Sequence, residues 1–103
     1  MNKKVIYTCL VGNYDSLSQP GIVCEEFDYI CFSNNIKEQK IGVWQIRPIP
    51  FFHGNKTRLS RYVKLNPHIV LPNYIYSLWI DANIEIVDNT IYERVEVLIE
   101  KNP

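Results

Sequence analysis

A single aspartate at the end of an apolar run, Tyr76-Ser77-Leu78-Trp79-Ile80-Asp81-Ala82-Asn83, is the stretch of this sequence best suited to chemistry. A buried strand that ends in a carboxylate delivers that carboxylate to the edge of a sheet. Hard divalent cations such as Mg2+ and Mn2+ take oxygen ligands, commonly one or two carboxylates with phosphate oxygens and water. Asp81 offers an anionic oxygen and Asn83 a neutral carbonyl oxygen, and the two share a side if the strand continues through them. The same triplet also suits a plain strand end, with Asp81 and Asn83 capping a turn.

A second group is cationic. Arg58, Arg61 and Lys64 are each three residues apart. On a helix, three residues advance roughly 300°, so the three side chains share about a third of the circumference. Arginine grips phosphate with two hydrogen bonds and lysine acts as a point charge. The plainer reading is a solvated face making surface ion pairs. A third group is Thr8 to Asp15, where Gly12 lets backbone approach a ligand and Asn13, Tyr14 and Asp15 offer hydrogen bonds or a ring to a base. No Gly-Lys-Ser/Thr follows, so this is not a P-loop, and one glycine does not make a dinucleotide fingerprint. An ordinary turn fits it equally. His53, before the basic helix, is within reach of the same region; His68 reads as a helix-end or packing residue.

These groups need a sheet to hold them. Residues 4–11 and 28–33 are apolar and β-branched with little alternation, the pattern of strands buried on both faces in a parallel sheet. Residues 43–46 form a third strand, stopped by Pro48 and Pro50. Asn55 caps a helix from Lys56 to about Leu65, which ends before Pro67 and packs through Leu59 and Val63. His68 to Pro72 reads as a connector, and residues 75–81 as the central strand. Residues 22–24 and 85–87 read as minor strands. Asp88 or Asn89 caps a last helix over residues 90–100, with Ile91, Val95 and Leu98 facing the core. The implied fold is α/β: a mostly parallel sheet of four or five strands with flanking helices. Its carboxyl edge carries Gly12–Asp15, Ser33–Asn35 and Asp81–Asn83, and that edge is where open α/β sheets bind ligands.

Length and charge narrow the choices. The 103 residues suit a single domain. Eleven basic and eleven acidic residues leave no formal net charge, which argues against bulk binding to nucleic acid or an anionic membrane. No apolar run is long enough to cross a bilayer. Residues 1–5 pass straight into a strand pattern without a leader-like apolar region, so a cytoplasmic location is expected. Cys9, Cys24 and Cys31 lack CxxC spacing, which excludes a zinc knuckle or disulfide framework. Cys9 and Cys31 read as small core residues.

Taken in order, Tyr7-Thr8-Cys9-Leu10-Val11-Gly12-Asn13-Tyr14-Asp15, Asp28-Tyr29-Ile30-Cys31-Phe32-Ser33-Asn34, Arg58-x-x-Arg61-Tyr62-x-Lys64-x-Asn66-Pro67-His68 and Leu78-Trp79-Ile80-Asp81-Ala82-Asn83 form one set. The set resembles a glycosyltransferase-like family, formerly a domain of unknown function. That family occurs in plant Golgi proteins of cell-wall and mucilage synthesis and in bacterial polysaccharide loci. The resemblance covers most of residues 5–86. It implies a GT-A type nucleotide-sugar fold that transfers a glycosyl group from a nucleotide-diphospho-sugar to a glycan acceptor. It places the nucleoside at Thr8, Gly12, Asn13, Tyr14 and Asp15, the base near Ser33 and Asn34, and the diphosphate against Arg58, Arg61 and Lys64. The Asp-x-Asp metal motif, which holds Mn2+ or Mg2+, falls at Asp81 and Asn83, with asparagine at the third place and one formal charge fewer. Acceptor half and catalytic base follow the metal motif in such domains. The chain ends soon after Asn83, so a truncated donor-binding half, inactive alone, is the expectation. The alternative is a non-catalytic interaction or assembly module, for which a homo-oligomer is expected. A flavodoxin-like protein would need a Ser/Thr/Gly-rich phosphate loop that Gly12–Asp15 does not resemble.

Overall fold

The computed structural model describes residues 3–11, 17–34, 36–50 and 55–101. They form β1 (Lys4–Cys9), β2 (Phe27–Phe32), β3 (Lys40–Ile41), β4 (Trp44–Arg47), α1 (Lys56–Leu65), α2 (Pro67–Val70), β5 (Tyr76–Trp79) and α3 (Thr90–Lys101). The five strands make one mixed sheet in the order β3-β4-β2-β1-β5. β1 pairs in parallel with both β2 and β5, and β2 pairs in parallel with β4; only β3 runs antiparallel. This is the α/β sheet with flanking helices that the strand patterns imply.

The two central strands are largely apolar because both faces are covered. Val5, Tyr7 and Cys9 of β1 and Ile30 and Phe32 of β2 pack beneath Leu59 and Val63 of α1 and Val70 of α2. Ile6 of β1 and Tyr29 and Cys31 of β2 pack on the other face with Trp44, Ile80 and Tyr92 of α3. The result is three layers, α1 and α2 on one face of the sheet and α3 on the other. Burial pushes the thiols of Cys9 and Cys31 up to about 12, so both behave as small apolar groups.

Local chemistry sets the element ends. The Asn55 side chain accepts a hydrogen bond from Arg58 N–H at 3.1 Å, closing the first turn of α1. Pro67 then begins α2, a short helix where the sequence reads as a connector. Asp88 Oδ1 accepts from Thr90 N–H at 2.9 Å at the start of α3, which holds this carboxyl below its usual range. Lys4 ties β1 to Glu26 at 2.9 Å and also pairs with Glu96 of α3.

Several expectations are corrected. Residues 22–24 and 85–87 are not strands. They are held near each other by single bonds, such as Gly21 N–H to Ile86 C=O at 2.7 Å, with no ladder between them. Leu98, expected in the core, is 60% exposed, and Tyr92 takes the anchoring role. Its hydroxyl donates to Ile22 C=O and lies 2.6 Å from Tyr29 Oη, fastening α3 to the loop before β2. Lys40 and Ile41 form the edge strand β3, which no sequence pattern announces.

That edge hairpin depends on Gly42, whose φ of +59° favours glycine. Gly42 is the first of two loop residues between paired Ile41 and Trp44, the place a II′ turn reserves for glycine. Gln19 clamps the turn, accepting from Val43 N–H at 3.1 Å and donating to Ile41 C=O at 3.2 Å. A Cβ at Gly42 would stand 2.1 Å from Gln19 Oε1. Gly42→Ala is therefore expected to cost about 1–2 kcal/mol from backbone strain, with additional loss as Gln19 is displaced. Thermal unfolding checks this, and an unchanged midpoint would mean the clamp contributes nothing.

Candidate functional site

All four parallel strands end at one edge of the sheet. The chain steps from β1 to β2 to β4 in one direction, then returns through α1 and α2 to place β5 on the other side of β1. The direction of winding therefore reverses between β1 and β5, and such a reversal opens a crevice beyond the carboxyl ends of the two strands.

A cleft of about 410 Å³ lies at that place. Cys9, Leu10 and Val11 form its wall from β1, and Trp79 and Asp81 its wall from β5. Ser60, Arg61 and Lys64 of α1 close it from above. Two cationic side chains thus share the cleft with one carboxylate. Arg61, Lys64 and Asp81 are all exposed to solvent.

The surroundings fix this geometry. Tyr7 Oη donates to Lys64 C=O at 2.9 Å, pinning the last turn of α1 over β1. The Tyr7 and Trp79 rings meet edge to face at 5.4 Å. Trp79 Nε1–H points to Asp81 Oδ1 at 3.3 Å, and Lys64 Nζ stands 6.0 Å from the Trp79 ring centre. Trp79 therefore supports both the carboxylate and one of the two cations. The Cys9 thiol, raised by burial and opposed only in part by a hydrogen bond with Ser60, stays protonated and is no nucleophile.

No family model matches the chain, and comparisons with curated proteins and with solved structures return no match.

The structure brings together Arg61, Lys64 and Asp81 from the residues singled out in the sequence. Arg58 lies on the same helix but does not line the cleft. Thr8 is fully buried, on the strand face opposite Tyr7 and Cys9, and its hydroxyl has no hydrogen-bond partner among the described residues. Ser33 is buried with its N–H bonded to Arg47 C=O, and Asn34 Oδ1 accepts from Ile49 N–H at 2.9 Å. Both sit at the carboxyl edge, beside the cleft rather than in it. Gly12, Asn13, Tyr14, Asp15, Asn35 and His53 lie outside the described residues, although Val11 carries the chain to the cleft wall. His68 is exposed on α2.

Asp81 and Asn83 do not share a strand face as alternation would have it. β5 ends at Trp79, and residues 81–84 form a turn closed by Ile84 N–H to Asp81 C=O at 3.0 Å. Asp81 faces the cleft and Asn83 does not line it. A divalent cation in this cleft would take one protein oxygen from Asp81 and the rest from phosphate and water, a set that Mg2+ accepts. Trp79 carried a partial signal, since it lies two residues before Asp81, although β5 ends at Trp79 and Asp81 stands in the turn beyond it. Cys9 and Ser60 carried no such signal, because their place in the cleft depends on the register of β1 against β5 and on the docking of α1.

Proposed function

We propose that this chain is the donor-binding part of a glycosyltransferase of GT-A type, taking a nucleotide-diphospho-sugar for glycan or polysaccharide synthesis. One observation carries the reading: Arg61 and Lys64 converge with Asp81 on the crevice where the sheet reverses its winding. Two cations face the place where a diphosphate would lie, and they offset the charge that grows on it as the glycosyl bond breaks. Asp81 would hold a Mn2+ or Mg2+ ion, which would supply counter-charge to the diphosphate. Trp79 adds a flat apolar wall against which a ring can rest. The cluster of motifs that resembles a glycosyltransferase-like family supports the same assignment. Catalysis would further require an acceptor site and a general base.

The test is thermal unfolding of the chain with UDP, GDP or CDP, each with and without Mn2+. One nucleoside diphosphate is expected to raise the midpoint in a metal-dependent way, since ligand at 100 times its Kd adds about 2.7 kcal/mol. Asp81→Ala should abolish the metal-dependent part. A flat response to every nucleotide, with and without metal, would sink the reading.

A further inference from the structure

The cleft between β1 and β5 holds opposite charges that do not meet. Arg61, Lys64 and Asp81 all line it, yet no ion pair joins the carboxylate to either cation among the described residues. Two unit charges of opposite sign about 4 Å apart in water favour the pair by about fivefold. A mobile ammonium therefore gains by moving onto a nearby carboxylate unless something stands between them. Trp79 stands there. Lys64 Nζ lies over its ring at 6.0 Å from the centre, and its Nε1–H points to Asp81 Oδ1 at 3.3 Å. An indole suits both neighbours, since its face is negative and its N–H edge positive. The ring is also held in place. Tyr7 and Trp79 are register partners on adjacent strands, with their rings edge to face at 5.4 Å. Tyr7 is 2% exposed and donates its hydroxyl to Lys64 C=O at 2.9 Å. Tyr7, Trp79 and Lys64 thus form a closed loop of contacts: hydroxyl to backbone, ring to ring, and ring to ammonium.

From this we infer that Trp79 is a positioning residue, a spacer that keeps Lys64 and Asp81 from neutralising each other. It leaves the ammonium for the diphosphate and the carboxylate for the metal, and so rests on the reading of the cleft given above. A site that takes a metal cation and a phosphate anion together needs both of its own signs uncancelled. A wall for a ring to rest on would need only the indole face. The N–H aimed at Asp81 and the loop closed through Lys64 go beyond that use. Each charge has a partner in Trp79 that is weaker than the opposite charge, and therefore one that an incoming ligand can displace.

Calorimetry of the whole chain with inorganic pyrophosphate, without metal, tests the spacer. With Trp79 in place, Asp81→Asn removes only repulsion and should tighten binding about threefold. In a Trp79→Ala chain Lys64 closes onto Asp81, and binding should weaken about fivefold. Adding Asp81→Asn to that chain should then tighten it about fifteenfold, because the change removes the repulsion and also frees the lysine. Trp79→Phe keeps a ring between the charges and should restore the threefold response. Equal responses to Asp81→Asn in the unaltered and Trp79→Ala chains overturn the proposal. The side-chain nitrogen resonance of Lys64 gives a second readout that needs no ligand. Asp81→Asn should barely move it when Trp79 is present and should shift it clearly in the Trp79→Ala chain. A Lys64 resonance that already shifts on Asp81→Asn with Trp79 in place means that the charges pair despite the ring, which also overturns the proposal. A chain that binds neither pyrophosphate nor any nucleoside diphosphate sinks the diphosphate reading of the cleft, and the resonance then decides alone whether Trp79 separates the charges.

Discussion

Trp44→Ala is expected to lower the unfolding midpoint by on the order of 20 °C. Trp44 is 1% exposed on the α3 face of the sheet, edge-on to Tyr29 with ring centres 5.7 Å apart. Its Nε1–H donates to Ser18 C=O at 3.0 Å, so one side chain joins the edge hairpin, β2 and the segment after β1. Removing a buried tryptophan side chain costs roughly 3–5 kcal/mol, against a stability of roughly 5–15 kcal/mol for a domain of this size. Each kcal/mol moves the midpoint of a small domain by about 4–8 °C. Trp44→Phe separates the contributions, because it keeps an aromatic ring and loses the donor. It should fall between the two. Equal midpoints for Trp44→Phe and the parent chain would mean that the Ser18 bond adds nothing to stability.

Trp44 also marks the limit of what the sequence could say. The doubly covered strands β1 and β2 were legible because residues apolar on both faces demand cover on both faces. The first helix was legible from Asn55, Pro67 and the Leu59–Val63 spacing, all local chemistry. The hairpin of β3 and β4 was not, although Gly42-Val43 is a two-residue turn signal. A two-residue strand carries too little pattern to stand out, and only the clamp from distant Gln19 makes the turn visible. Apolar triplets at residues 22–24 and 85–87 misled for the converse reason: apolar content requires burial, not a ladder. Leu98 keeps helical spacing with Val95, but the sheet beneath α3 ends before it. In the cleft, Asp81 and the Arg61–Lys64 pair were readable as separate chemical groups. Their meeting was implied only by the resemblance and not by local pattern, since it depends on β5 crossing back to the far side of β1. The turn at residues 81–84 was hidden too, and it separates Asp81 from Asn83.

The second large effect concerns those charges. If the chain binds a nucleoside diphosphate as proposed, Arg61→Ala is expected to weaken that binding by about ten- to a hundredfold, since a charge-assisted hydrogen bond is worth roughly 1.5–3 kcal/mol. Lys64→Ala should cost less, because an ammonium offers a point charge without the paired fork of a guanidinium. Titration calorimetry measures both. Asp81 then supplies a change of sign that a merely structural carboxylate would not produce. Without metal, Asp81 repels a diphosphate, and two unit charges about 6 Å apart in water interact by roughly 0.7 kcal/mol, about threefold in affinity. Asp81→Asn should therefore tighten metal-free binding by a small factor. With Mn2+ present the same substitution should weaken binding, because the ion loses its anionic protein oxygen. Trp79→Phe removes the indole N–H that points to Asp81 and keeps a ring. It should reduce the metal-dependent part of binding more than the metal-free part. If Asp81→Asn moves both affinities in the same direction, Asp81 does not hold a metal, and Arg61 and Lys64 alone carry the diphosphate.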